Sequence, residues 1–121
     1  MSALLWVGVA IAGGAGGVLR FLVDGVVSAR VGRAFPFGTL VVNVTGAALL
    51  GFLAGVVLDD DRALLAGTAA VGSYTTFSTW MLESHRLAER RAGGAVALNL
   101  VVPLLCGITA AALGRAVGAA L

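Results

Sequence analysis

Four long stretches of the chain carry no charged side chain, and short charged segments separate them. They cover residues 1–19, 39–58, 63–82 and 92–114. A helix needs about 20 consecutive apolar residues to cross the hydrocarbon core of a bilayer. Strands of a membrane barrel would alternate apolar and polar residues, and these stretches do not. The pattern therefore predicts an all-α integral membrane protein with four transmembrane helices.

The predicted spans form a single four-helix membrane domain over residues 1–121. They cover approximately 3–29, 37–58, 62–90 with a break at 72–76, and 93–119. Pro36 is well placed to start the second helix. The carboxylates of "DDDR" (59–62) suit the start of the third helix better than a metal cluster, because negative charge is favourable there.

Composition agrees with a membrane protein. The chain is 60% hydrophobic and 12% charged, with a mean hydropathy of +1.03, whereas soluble domains are about half apolar and a quarter charged. A formal charge of +2 is too small to suggest nucleic-acid binding. The lone Cys106 excludes an intrachain disulfide, and we expect it to be a small buried side chain.

Arginines predict the orientation, because cytoplasmic links carry an excess of positive charge. The first and third links hold Arg30, Arg33, Arg86, Arg90 and Arg91, whereas the opposite side has Arg62 and Arg115. This bias favours both termini outside a multi-pass protein of the cell (inner or plasma) membrane.

Small residues at helical spacing predict close helix contacts. They form the pairs Gly13–Gly17 and Gly114–Gly118, and a stripe of Thr39, Asn43, Ala47, Gly51 and Gly55. Within the stripe, Asn43 differs because its amide needs a hydrogen-bonding partner at membrane depth. Contact between helices and lining of a pore are equally open roles for it.

The third stretch contains six hydroxyl groups in the eight residues 73–80, "SYTTFSTW". They could bond back to their own helix. Alternatively the helix could break, with Gly72 as the weak point, and free main-chain groups that line a cavity or bind an ion. We favour the break because six hydroxyls exceed what back-bonding requires.

Two aromatic residues follow the predicted break. Phe77 and Trp80 are three residues apart and share one helix face, and Thr76, Trp80 and Glu83 lie roughly along one line. The edge of an aromatic ring carries positive charge, so ring edges beside hydroxyl and amide donors suit a small anion. Packing against other helices or lipid would explain the spacing equally well.

Three segments resemble the Fluc family of fluoride channels, also called CrcB. They are "GGAGGVLRF" (13–21), "PFGTLVVNVTGAALLGF" (36–52) and "GSYTTFSTWMLES" (72–84), and the likeness extends over all four spans. The resemblance implies an antiparallel, dual-topology-type dimer of four-helix subunits. It also implies two fluoride pores for passive efflux and a structural sodium ion (Na+) at the dimer interface.

The resemblance also implies roles for individual residues. The sodium-binding main-chain carbonyls correspond to those of Gly72 and Thr75. The residues that line the fluoride pore correspond to Asn43, Phe77, Trp80, Thr39, Thr76, Thr79 and Ser78. Arg20 and Glu83 correspond to polar supports.

The chain departs from the family pattern at three positions. Trp80 replaces a common phenylalanine, Ser73 a frequent glycine, and Pro103 a polar residue of the fourth span. Together with the arginine bias, these departures suggest a heterodimer with an oppositely oriented paralogue, with one impaired pore, as an alternative to a homodimer.

Two other functions were weighed against a fluoride channel. A small multidrug exporter needs an intramembrane carboxylate, for which only Asp24 and Glu83 are candidates. A passive subunit of a larger membrane complex would not explain the hydroxyl-rich segment. The sequence supports no enzyme, because the single His85 lies in a charged link where a solvated side chain is expected.

Overall fold

The computed structural model describes residues 2–121, and all of their regular secondary structure is helical. In chain order the elements are α1 (Ala3–Val31), α2 (Phe37–Val56), α3 (Asp60–Arg62), a π-helical segment (Ala63–Val71), α4 (Gly72–Tyr74), α5 (Phe77–Glu89) and α6 (Gly93–Ala119). No strand occurs within residues 2–121, so the prediction of an all-α protein is confirmed for them.

Polar side chains start several of these helices by accepting main-chain N–H groups that have no partner inside the helix. The Ser2 hydroxyl accepts from the N–H of Leu5 at 3.1 Å. The Asp59 carboxylate accepts from the N–H of Arg62 at 2.9 Å, as expected for a helix-start carboxylate. Pro36 directly precedes α2, where its fixed φ suits the turn into the helix.

Three helices have the length and apolar character needed to cross a membrane: α1, α2 and α6. The fourth predicted span corresponds to α3, the π-helical segment, α4 and α5, which follow one another between Asp60 and Glu89. The chain is thus a multi-pass membrane protein in which one predicted span differs in construction from the other three.

Helices α2 and α6 pack most closely, through glycines on both. A Cβ atom on Gly51 would overlap the carbonyl of Ala111, and one on Gly114 would overlap the carbonyl of Ala48. Gly55 and Gly118 make equivalent contacts with Arg115 and Phe52. Residues with higher numbers on α2 contact residues with higher numbers on α6, so the two helices run parallel. The prediction that these glycines mark helix contacts is confirmed.

The contact of α1 with the third span differs from the predicted one. A Cβ atom on Gly16 would overlap the carbonyl of Ala70 and the hydroxyl of Ser73, whereas one on Gly17 would meet nothing within 4 Å. Gly13 has only the Ala69 carbonyl at 3.8 Å. Gly17 is therefore the wrong choice, because the rotation of α1 turns Gly16 toward its neighbour, whereas the carbonyl of Gly13 does contact the third span through the Ser73 hydroxyl at 2.7 Å.

The interior of the chain is as polar as it is apolar. Apart from glycines and Pro103, its buried polar residues are Ser28, Thr39, Thr76, Ser84 and Asn99, and its buried apolar residues are Val42, Ala69, Val71, Tyr74 and Leu87. Every buried side-chain polar atom in residues 2–121 has a hydrogen-bonding partner. Large apolar side chains face outward along α1 and α6, as a surface in contact with lipid requires. Cys106 is also exposed, so the expectation of a buried thiol is wrong.

Candidate functional site

The helical path of the third span is interrupted at Thr75 and Thr76. Helix α4 ends at Tyr74 and α5 begins at Phe77. Thr75 (φ −79°, ψ 160°) and Thr76 (φ −148°, ψ 117°) are extended. Gly72, the expected weak point, is itself helical, with φ −59° and ψ −37°. The interruption therefore occurs three residues later, where two β-branched residues favour extended backbone.

Asn43 on α2 supplies the partners that the interrupted backbone lacks. Its Nδ2 donates to the carbonyl of Thr76 at 2.9 Å, and the N–H of Thr76 donates to its Oδ1 at 2.8 Å. Both polar groups of an extended residue are thus paired without water, which membrane depth requires. Sequence left two roles open for Asn43, and the structure provides a bond between α2 and the third span.

The hydroxyl groups of residues 73–76 have separate partners. Two of them bond back to the preceding helix: Ser73 Oγ lies 2.6 Å from the carbonyl of Ala69, and Thr75 Oγ1 donates to the carbonyl of Val71 at 3.3 Å. Two reach other helices: Ser73 Oγ also lies 2.7 Å from the carbonyl of Gly13, and Tyr74 OH pairs with Thr45 Oγ1 at 2.8 Å. The fourth, Thr76 Oγ1, accepts from the N–H of Thr79 at 3.1 Å. Back-bonding and an interruption, treated as alternatives on sequence alone, occur together here.

The main-chain carbonyls of residues 72–75 accept no hydrogen bond in the described part of the chain. The N–H that would reach the Gly72 carbonyl in a continuous helix belongs to Thr76, and it donates to Asn43 instead. No hydrogen bond of residues 2–121 is accepted by the Thr75 carbonyl either. Gly72 is exposed and Thr75 half-buried, so their oxygens are among the main-chain acceptors available at the interruption.

A groove of about 420 Å³ between α2 and α6 leads to the interruption. Asn43, Thr75, Thr76, Phe77 and Trp80 line one end of it, and small and apolar residues of α2 and α6 line the rest. The rings of Phe77 and Trp80 meet edge to face, with centroids 5.8 Å apart and planes at 89°. Phe77 lines the groove and is 70% exposed, so most of its side chain is not covered by this chain.

A second cavity, of about 190 Å³, also contacts Thr76 and is called the inner cavity below. Arg20 and Asp24 of α1, Thr39 of α2 and Thr79 of α5 line it together with Thr76. Thr76 is therefore the residue common to the two cavities.

Each of the remaining predicted site residues lines one of these two cavities or neither of them. The hydroxyl of Thr39 donates to the carboxylate of Glu83, which ties α2 to α5. Glu83 also faces a small pocket with Arg33, Arg86 and Arg90. Ser78 is exposed, and its hydroxyl lies 3.4 Å from that of Thr76. Asn43, Phe77 and Trp80 thus share the groove, whereas Arg20, Thr39 and Thr79 share the inner cavity.

Sequence reasoning missed Asn99 of α6, which is 1% exposed. Its Nδ2 donates to Ser84 Oγ at 2.9 Å, and its carbonyl accepts from Nε1 of Trp80. The argument that singled out Asn43, an amide in an uncharged stretch, applies equally to Asn99. Pro103 four residues later is a second indication, because it leaves the Asn99 carbonyl without a helical donor.

Metal-binding side chains do not cluster in the described part of the chain: no three His, Cys, Asp or Glu residues of 2–121 are grouped to hold an ion. His85 pairs with Glu89 at 3.2 Å, with both side chains mostly exposed.

Comparison with known proteins gives one family. A family model described as CrcB-like protein, Camphor Resistance (CrcB), matches residues 7–115. "Fluoride-specific ion channel FluC 2" of Mycobacterium bovis is 57% identical over 115 residues, which cover 95% of this chain and 91% of the relative. The protein of that name from Mycolicibacterium paratuberculosis is 60% identical over 111 residues, covering 92% and 91%.

A more distant relative carries a similar name. "Fluoride-specific ion channel FluC 1" of Geobacillus kaustophilus is 44% identical over 110 residues, which cover 91% of this chain and 94% of the relative. These relatives are ion channels by name, which confirms the prediction that the protein is not an enzyme. The chain therefore belongs to the CrcB family, together with these fluoride-specific ion channels.

Proposed function

We propose that the chain forms a fluoride-selective channel that lowers cytoplasmic fluoride by passive efflux through pores at the interface of an antiparallel dimer. The observation that carries the proposal is the interruption held by Asn43. It brings the aromatic pair Phe77 and Trp80 to the rim of a groove that also contains amide and hydroxyl groups. The names of the relatives support fluoride as the conducted ion.

The segment from Asp60 to Glu89 acts as the remaining transmembrane span, broken at Thr75 and Thr76. Irregular backbone survives at membrane depth only where protein or a cavity surrounds it. Thr76 is buried and both its main-chain groups pair with Asn43, so this requirement is met. The uncharged stretches on both sides support a multi-pass protein of the cell membrane.

Fluoride is small and tightly hydrated, so a selective pore must replace water with hydrogen-bond donors. Asn43 keeps one amide N–H beyond the bond to Thr76. The hydroxyl of Thr79 makes no hydrogen bond within residues 2–121 and faces the inner cavity. The open edge of Phe77 adds positive charge density. These groups are the proposed first partners of the anion, with Thr39, Thr76, Ser78 and Trp80 completing the pore lining.

Arg20 and Glu83 are the two charged residues of the proposed pathway, and they have different roles. Arg20 lines the inner cavity, where its positive charge offsets part of the cost of moving an anion into low dielectric. Glu83 accepts from Thr39 and thereby holds the hydroxyl-bearing face of α2 against α5. Its role in the proposal is positional, because a carboxylate repels fluoride.

The carbonyls of Gly72 and Thr75 are the proposed ligands of a structural sodium ion at the dimer interface. They belong to the run of carbonyls at residues 72–75 that receive no hydrogen bond in the described chain, and hard cations prefer oxygen ligands. When bound, the cation would supply positive charge near the pores. A single subunit offers too few such oxygens, so the site would require both subunits.

The dimer consists either of two copies of this chain or of this chain and an oppositely oriented paralogue. Related proteins named FluC 1 and FluC 2 support a second gene product. The imbalance of arginines also favours the pair of paralogues, because a chain that inserts in both directions should show little bias.

Fluoride efflux from liposomes that contain this chain alone tests the proposal. A fluoride electrode would follow the release, and chloride would be the control anion. We expect rapid fluoride-selective efflux that Asn43→Asp and Phe77→Ile abolish. Silence from this chain would be followed by reconstitution with the paralogue, and silence there too would overturn the fluoride channel.

A further inference from the structure

Pro103 changes the hydrogen bonding of α6 at one position. It lies buried within the helix and has no main-chain N–H, so it cannot donate to the carbonyl four residues earlier, that of Asn99. An unpaired carbonyl is costly at membrane depth. The indole Nε1–H of Trp80, on α5, donates to this same carbonyl.

Two further hydrogen bonds complete a closed set of hydrogen bonds between α5 and α6. Asn99 Nδ2 donates to Ser84 Oγ at 2.9 Å, and the Ser84 hydroxyl donates to the carbonyl of Trp80 at 3.0 Å. Asn99 is 1% exposed and Ser84 is 7% exposed. This closed set of hydrogen bonds therefore lies away from solvent, where each bond contributes more to stability than it would in water.

We propose that Pro103 and Asn99 are positioning residues that orient the ring of Trp80 against Phe77. Pro103 frees the carbonyl, Asn99 presents it, and the indole N–H fixes the side-chain torsions of Trp80. This fixed ring meets Phe77 edge to face at 5.8 Å and 89°. The consequence for conduction rests on the proposed channel function, whereas the coupling of Trp80 to Pro103 does not.

The proposal makes Trp80 and Pro103 two parts of one arrangement. A phenylalanine at position 80 has no N–H and leaves the Asn99 carbonyl unpaired. An alanine at position 103 restores the helical donor to that carbonyl and makes the indole bond unnecessary. The two departures from the family pattern therefore compensate each other, and neither implies an impaired pore by itself.

Thermal unfolding of purified protein in detergent tests this coupling. We expect Trp80→Phe to lower the melting temperature by roughly 5 °C through the unpaired carbonyl and lost contacts. Pro103→Ala removes a proline from a helix interior and should raise it in both backgrounds. The rise should be larger in Trp80→Phe protein, where the new N–H pairs the free carbonyl. An equal rise in both backgrounds would overturn the proposal.

The indole N–H itself gives a second readout. In NMR spectra of protein labelled with ¹⁵N-tryptophan, Trp80 should show the downfield N–H proton of a strong hydrogen bond. Trp6, which is 59% exposed on α1, provides the reference signal and is assigned with Trp6→Phe. Pro103→Ala should move only the Trp80 signal upfield, because the new N–H competes for the carbonyl. An unchanged Trp80 signal would contradict the proposal.

Fluoride efflux completes the test. Pro103→Ala keeps the indole but lets the new main-chain N–H compete for the Asn99 carbonyl, so it should lower the fluoride rate several-fold. A rate for Pro103→Ala protein equal to that of wild-type protein would overturn the link from the bonded indole to conduction. If wild-type protein conducts no fluoride even with its paralogue, the channel proposal fails, and unfolding and NMR still decide the coupling.

Discussion

The side-chain amide of Asn43 pairs with both main-chain groups of Thr76, at 2.9 Å and 2.8 Å. The two residues are 33 positions apart in sequence. Because one residue supplies both partners, the path of the backbone between α4 and α5 depends on a single side chain of α2. This is the closest link between helix packing and the proposed pore.

Replacing Asn43 by aspartate should abolish fluoride efflux and destabilise the protein. Aspartate keeps an oxygen for the Thr76 N–H but cannot donate to the Thr76 carbonyl, and it adds a negative charge beside the proposed path. We expect a loss of about 1–3 kcal/mol in the free energy of unfolding, the cost of an unsatisfied buried group. Thermal unfolding and liposome efflux would measure the two effects.

Thr109→Val is the matched control for Asn43→Asp. Its hydroxyl bonds only to the Leu105 carbonyl of its own helix and is exposed. We expect no more than a few tenths of a kcal/mol for its loss. If Asn43→Asp behaves like this control, Asn43 does not hold the interruption.

Thr39 and Glu83 should respond differently to substitution by residues of similar shape. Thr39→Val removes the donor of their hydrogen bond and leaves the half-buried Glu83 carboxylate without it, so stability should fall by about 1 kcal/mol. Glu83→Gln keeps an acceptor oxygen and should cost less. The melting temperatures of both variants would be compared, and a greater loss for Glu83→Gln would mean that charge, not this bond, matters.

Gly114→Ala should destabilise the pair α2–α6. Its Cβ atom would overlap the carbonyl of Ala48, so the helices must separate at a cost of about 1–3 kcal/mol. Gly14 is exposed on α1 with nothing near its Cβ position, so Gly14→Ala should stabilise by about 0.5–1 kcal/mol. Denaturation of both variants in detergent is the measurement, and effects of the same sign would contradict the close contact.

Ser73→Ala should weaken the contact of α1 with the third span. The hydroxyl lies within hydrogen-bonding distance of Gly13 and Ala69 carbonyls, and its loss should cost about 1 kcal/mol. Efflux should persist, since the Asn43–Thr76 bonds are untouched. Unfolding and efflux assays on one preparation would check both expectations, and complete loss of efflux would give Ser73 a direct part in conduction.

Removal of sodium should destabilise the assembled protein if the carbonyls of Gly72 and Thr75 bind it. Binding to the native state alone stabilises by about 2.7 kcal/mol when the ion is at 100 times its Kd. Melting temperatures would be compared in sodium, in potassium and in N-methylglucamine at equal ionic strength. Equal values in all three solutions would argue against a structural sodium ion.

Sequence alone determined the composition of the helices and the position of the polar segment. Uncharged stretches located α1, α2 and α6, because lipid demands long apolar runs and a helix satisfies its own backbone, although α1 extends well beyond its stretch, to Val31. The hydroxyl groups at 73–80 marked the unusual part of the third span. Glycine spacing marked a contact face on α2 and another on α6, since only small residues permit close approach, but not that these two faces meet each other.

Tertiary structure decided which of these polar groups meet. The rotation and crossing of helices turn Gly16, not Gly17, toward the third span. They also bring Asn43 to Thr76 and Trp80 to Asn99. Sequence spacing describes neighbours within one helix, whereas a bond between helices depends on their relative orientation, which many contacts set together. The interruption therefore lies where Asn43 reaches the backbone, three residues beyond the flexible Gly72.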